Sequence, residues 1–151
     1  LKKKIPMQVL IVGSGVERQN LKNYIKKNGL SKIVKIINFI SNPYQYMKQA
    51  ELFILTSLYE GLPNVLLEAQ GLKKFIISSN CPTGPREILL NGKAGFLFSI
   101  RNENELSKKI SAYYKNKKKL NKMINLGYKN IDRFDGKKNL LKYYNLINNY
   151  L

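Results

Sequence analysis

Leu52-Phe53-Ile54-Leu55-Thr56-Ser57-Leu58-Tyr59-Glu60-Gly61-Leu62-Pro63-Asn64-Val65-Leu66-Leu67-Glu68-Ala69 passes from an apolar run, through a glycine-containing turn, into a segment of helical character. A short apolar run ended by turn residues reads as a buried strand, and the apolar positions after Pro63 predict a helix from near Pro63 to about Leu72. The same alternation extends in both directions. Upstream, Met7 to Val12 is an apolar run closed by Gly13-Ser14-Gly15, a buried parallel strand and tight turn. Leu21, Tyr24, Ile25 and Leu30 then recur at helical spacing, with Asn28-Gly29 as a stop. Ile33 to Phe39 is a second strand and Tyr44 to Gln49 a short helix after Pro43. Downstream, Phe75 to Ser78 is a fourth strand. Pro85 to Leu90 suits a short helix with proline at its first position, and Gly95 to Phe98 is a fifth strand. Strands alternating with helices predict an α/β fold, a Rossmann-like doubly wound parallel sheet with helices on both faces.

After Arg101 the pattern changes. Leu106, Ile110, Tyr113 and Tyr114, then Leu120, Ile124 and Leu126, then Leu140, Leu141, Tyr144 and Ile147 are helically spaced. Two or three C-terminal amphipathic helices should therefore close the fold, with their aromatic residues in the core. No linker and no repeat interrupts the chain, so residues 1–151 read as one domain.

Composition narrows the chemistry. Of 151 residues 44% are hydrophobic and 24% charged, as in a globular protein that buries a core. No apolar run reaches the roughly 18–20 residues of a membrane span, and the N-terminus lacks the apolar core of a signal peptide. The single cysteine, Cys81 before Pro82, permits no intrachain disulfide, suits a reducing compartment and reads as a small structural residue. A cytoplasmic location follows, peripheral at most to the inner membrane face. Histidine is absent, which excludes Ser-His-Asp and Cys-His catalysis and every histidine-containing metal site.

The net charge is +18. It admits a polyanionic partner, nucleic acid or an anionic membrane, or merely a lysine-rich solvated surface. Residues 1–100 carry 14 basic and 5 acidic side chains and residues 101–151 carry 13 and 4, a net +9 in each part. A recognition patch concentrates charge; this distribution is diffuse. It favours the solvated surface over a nucleic-acid-binding module.

Ligands of open α/β sheets sit beyond the carboxyl ends of the strands. There the amides of Gly61, Leu62, Asn64 and Val65 would stand unpaired at a helix start and suit an anion such as a diphosphate. Pro63 contributes no amide. Glu60 lies in the turn and Glu68 about one helical turn inside the helix. Carboxylates beside an anion site match the paired hydroxyls of a sugar. The alternative is that Glu60 caps the helix and Glu68 favours its dipole; chemistry alone does not separate the two.

The Glu60-x7-Glu68 spacing, within Glu-Gly-Leu-Pro-Asn-Val-Leu-Leu-Glu-Ala, resembles the corresponding motif of glycosyltransferase family 4. The likeness extends through Val9 to Gly15 with Glu17 and Leu21, Phe39 to Pro43, Pro82-Thr83-Gly84-Pro85-Arg86-Glu87-Ile88, Gly92 and Gly95. Gly13-Ser14-Gly15 is no dinucleotide fingerprint, because Arg18 stands where a third glycine belongs. The resemblance implies the donor-binding C-terminal part of a retaining GT-B glycosyltransferase, acting in bacterial surface polysaccharide or glycoconjugate synthesis. Its donor would be a nucleoside-diphosphate sugar, a UDP-sugar by preference, with no obligatory metal. By the same resemblance Glu60 contacts the transferred sugar as the catalytic carboxylate, and Glu68 holds the ribose hydroxyls. The amides of Gly61, Leu62, Asn64 and Val65 hold the diphosphate, Gly13 and Gly15 admit the donor to the backbone, and Phe39 and Ile40 face the base. Asn38 replaces a usual glycine there. The family's upstream Arg and Lys, and the acceptor domain that takes a glycan or lipid-linked substrate, fall outside this chain. The chain alone is therefore expected to bind but not to transfer. Arg86 is a possible phosphate contact, though a surface ion pair is the simpler reading. A sugar-nucleotide epimerase on the same fold is the rival, weakened by the lack of histidine.

Overall fold

The computed structural model describes residues 6–150; Lys2, Lys3 and Lys4, not expected to replace the upstream cations that the resemblance implies, lie outside them. The chain forms two compact units, residues 1–46 and 47–151. In the first, β1 (Val9–Val12) pairs in parallel with β2 (Val34–Ile37), from Val9 opposite Val34 to Val12 opposite Ile37. The helix α1 (Arg18–Lys27) connects them and stops at Asn28, where Gly29 takes φ +65°. That left-handed turn is the one Asn28-Gly29 predicts. The expectation that β1 is buried does not hold: Val9, Leu10 and Val12 are 39–41% exposed. β2 is also shorter than its apolar run, since Ile33 and Phe39 fall outside the strand, although the Ile33 carbonyl still accepts the Val9 amide at 2.8 Å.

In the second unit β3 (Leu52–Leu55), β4 (Phe75–Ser79) and β5 (Phe96–Phe98) form a parallel sheet with β4 in the centre. α2 (Tyr44–Gln49) precedes it, α3 (Asn64–Gly71) links β3 to β4, and α4 (Pro85–Ile88) begins with Pro85 in its first turn. Successive strand residues face opposite ways, and the core follows that alternation. Ile76 joins Leu66, Ala69, Ile88 and Leu89 on one side, with Phe53, Leu55 and Leu97 against them. Phe75 and Ile77 join Phe98, Tyr113 and Leu120 on the other. The second face is closed by α5 (Glu103–Asn116) and α6 (Asn121–Asn130), where the Phe75 ring stacks on Tyr113 at 5.0 Å and meets Phe96 edge-on at 4.9 Å. Helices thus cover both faces of a parallel sheet, the arrangement the strand–helix alternation predicts.

The last helix, α7 (Gly136–Asn148), departs from expectation. It forms at the predicted place, yet Leu140, Leu141, Tyr143, Tyr144 and Ile147 are 57–71% exposed. Of the aromatic residues expected inside, Tyr113 is buried while Tyr114 is 53% exposed. Helical spacing shows that a face is apolar, not that anything covers it. No helix among the described residues is long and apolar enough to cross a membrane.

Candidate functional site

Beyond the carboxyl end of β3 the chain turns through Thr56–Leu62 before α3. Pro63, buried, takes φ −72° and ψ 93° as the residue preceding the helix, and its carbonyl accepts the Leu66 amide at 2.9 Å. Proline fits here because its missing N–H falls where a helix has no carbonyl to receive it. The turn is tied to the loop that follows β4. The Ser79 hydroxyl donates to the Ser57 carbonyl at 2.6 Å, and the Thr83 hydroxyl donates to the Glu60 carbonyl.

Two half-buried carboxylates, Glu60 and Glu68, flank this helix start. Glu68 is the fifth residue of α3, about 6 Å along the axis from the first. Among the described residues neither carboxylate has a hydrogen-bond or ion-pair partner, although four ion pairs form elsewhere. The amides of Gly61, Leu62, Asn64 and Val65 donate to no described residue either. Unpartnered acceptors beside unused donors can take both halves of a ligand that carries hydroxyls and an anion.

The alternative roles for the two carboxylates fare poorly. Glu60 does not cap α3, which has no side-chain cap bond, and the first turn holds no acid, so Glu68 lies past the strongest part of the dipole. The backbone at Gly61 does not require glycine: its φ is not positive, and a Cβ there would meet nothing within 4 Å. Arg86 makes no ion pair with a described acid; its Nε donates to Asn80 Oδ1 at 3.3 Å, while Arg133 takes Glu87 at 3.1 Å.

In the first unit Gly13 ends β1 with φ +142°, and its amide donates to the Ile37 carbonyl at 3.2 Å. A side chain would be strained at that φ. Space is open around both Gly13 and Gly15. Phe39 is 72% exposed just past β2, and Ile40 is half-buried.

Residues 1–130 match the family model described as glycosyl transferases group 1. The chain belongs to that family. An O-antigen biosynthesis glycosyltransferase of Escherichia coli is 30% identical over 149 residues, which cover 99% of this chain and 41% of that protein. A diphospho-undecaprenol 4-alpha-N-acetylgalactosaminyltransferase of Campylobacter jejuni is 31% identical over 123 residues, covering 76% of this chain and 34% of the enzyme. This group 1 chain thus spans well under half the length of either relative. The Anabaena protein HepE, solved with UDP, superposes with a TM-score of 0.83 at 20% identity, over 96% of this chain and 41% of that one. At that identity the likeness establishes a shared fold over the matched residues and nothing further.

Thr83 and Gly84 belong to the resembling stretch of this group 1 chain, but no role is expected of them there. Their signal was the Gly84-Pro85 pair, which marks a tight turn before a helix. The partner across that turn lies more than twenty residues away and is not visible in local sequence.

Proposed function

We propose that this chain is the donor-binding part of a retaining glycosyltransferase of the family 4 type, taking a UDP-sugar and serving bacterial surface glycan assembly. One observation carries the reading: Glu60 and Glu68, without partners among the described residues, bracket four amides that donate to none. In this reading Glu68 accepts hydrogen bonds from the ribose hydroxyls and Glu60 from the transferred sugar. The amides of Gly61, Leu62, Asn64 and Val65 hold the diphosphate. As the glycosidic bond breaks, negative charge grows on the leaving diphosphate, and fixed helix-start amides stabilise it without reorganising. In the first unit, Gly13, Gly15, Phe39 and Ile40 are assigned nucleotide contacts, as the resemblance implies.

Support for UDP comes from the HepE structure, solved with that nucleotide, and support for a glycan or lipid-linked acceptor from the named activity of the Campylobacter relative. The acceptor would be held by a separate domain, residues 1–151 acting as one donor-binding domain. The net +18 suits a cytoplasmic protein resting against an anionic membrane face. The test is product analysis by NMR with the full-length protein, a UDP-sugar and a glycan acceptor. Transfer with the donor's anomeric configuration kept is expected; inversion would overturn the retaining assignment.

A further inference from the structure

Three observations converge on the loop between β4 and α4. The Thr83 hydroxyl donates to the carbonyl of Glu60. Gly84 has φ +84°, and a Cβ built on it would collide with the Gly61 carbonyl oxygen and the Pro63 ring. Behind both, the Ser79 hydroxyl holds the Ser57 carbonyl at 2.6 Å, and Cys81 is 1% exposed, so the base of the loop is anchored. The turn carrying Glu60 has no helical or strand hydrogen bonds of its own. Its backbone is therefore positioned from outside, by a neighbouring loop touching the Glu60, Gly61 and Pro63 backbone or ring.

We propose that Thr83 and Gly84 are positioning residues for the sugar-binding end of the donor site: Thr83 holds the Glu60–Gly61 peptide and Gly84 the Gly61–Leu62 peptide, and together they set how well the site tells a UDP-sugar from UDP. This rests on the assignment of Glu60 to the sugar. Neither residue is required to touch the ligand. Thr83 acts through the carbonyl of the residue whose carboxylate makes the contact. Gly84 acts by leaving room for the Gly61 carbonyl, at a φ that side chains rarely adopt. Glu68 sits within α3, whose own hydrogen bonds orient it, so the ribose end should be indifferent to the loop. The two ends of one donor thus depend on different supports, which is what makes the proposal testable.

The experiment is calorimetric titration of the full-length protein with UDP and with UDP-glucose, UDP-galactose and their N-acetyl forms. The readout is the ratio of UDP Kd to that of the tightest UDP-sugar. Thr83→Val, which keeps the shape and removes the hydroxyl, should lower that ratio about three- to tenfold, the range for one neutral hydrogen bond. It should weaken UDP less than the UDP-sugar, the Gly61 amide being the one diphosphate donor on the held peptide, and Thr83→Ser should restore the ratio. In a Glu60→Gln background the effect of Thr83→Val should disappear. A ratio unchanged in Thr83→Val, with Glu60→Gln still lowering it, would overturn the role of the loop and leave the Glu60 assignment standing. An unchanged ratio in Glu60→Gln itself would instead remove the assignment on which the proposal rests. Equal losses for UDP and UDP-sugar in Thr83→Val, or an effect that persists in the Glu60→Gln background, would show a merely structural residue. Gly84→Ala gives a second reading: a lower ratio is expected, and a ratio unchanged with the melting temperature preserved would contradict the close packing.

Discussion

At Gly61 the fold asks for no glycine: φ is not positive and the space a Cβ would occupy is empty. Conservation of the turn's shape therefore cannot account for a binding defect if this residue is changed. Gly61→Val should leave the melting temperature within a few degrees of the parent. It should weaken UDP binding on the order of tenfold, because a β-branched side chain stands where a diphosphate would approach the amides. Calorimetry beside a thermal melt checks this, and intact UDP affinity would count against the diphosphate placement. Residue by residue, the Glu60 and Glu68 pair was legible because both lie in one strand–turn–helix stretch. Thr83 was not, because its bond spans 23 positions. The ion pair expected for Arg86 also failed, since a charge names no partner: Glu87, the next residue, takes Arg133 instead.

Elements were read well where local chemistry terminates them. The stop of α1 at Asn28-Gly29 is an example; the start of α5, where no cap was expected, is held by chemistry just as local. Asn102 Oδ1 accepts the Glu105 amide at 2.9 Å, and the Glu105 carboxylate accepts the Ser99 amide at 2.8 Å. The Ser99 hydrogen bonds are the main cause holding the Glu105 carboxyl below its ordinary value, with Lys109 and Lys108 adding to it and burial opposing. A carboxyl with a depressed folded value contributes stability above its unfolded pKa, and that contribution fades as pH falls through the folded value. Glu105→Gln should therefore be less stable than the parent at neutral pH, and the gap should close with acidification below the usual carboxylate range. Urea titrations at successive pH values measure it; a gap independent of pH would contradict the carboxylate's role. Strand lengths were read less well than helix starts. β2 loses Ile33 and Phe39 because β-branched and aromatic composition marks a strand's neighbourhood, whereas the ladder's length depends on its partner.

For the molecule as a whole, the fold class was legible from alternation alone, and the two-sided core of β4 is what that alternation dictates: Phe75 and Ile77 to one face, Ile76 to the other. The solvent exposure of α7 and of β1 was not legible, because an apolar stripe does not say what lies against it. Charge is also a whole-molecule property. A diffuse lysine field is screened over a Debye length of about 8 Å at physiological salt, and a short-range helix-start site much less. UDP affinity should therefore fall only a few-fold between about 50 and 200 mM salt, while any binding to random DNA should fall by orders of magnitude. Fluorescence titrations with both ligands compare the slopes. Equally steep slopes would mean that the lysines, not the α3 start, hold the nucleotide.

Calorimetry on the two carboxylate variants is the most direct test of the proposed donor site. With Glu68→Ala, UDP and UDP-sugar should both bind more weakly by roughly ten- to a hundredfold, the cost of a lost charged hydrogen bond. With Glu60→Ala the loss should fall on the UDP-sugar and largely spare UDP. Unchanged affinities for both ligands in both variants would contradict a donor site between Glu60 and Glu68.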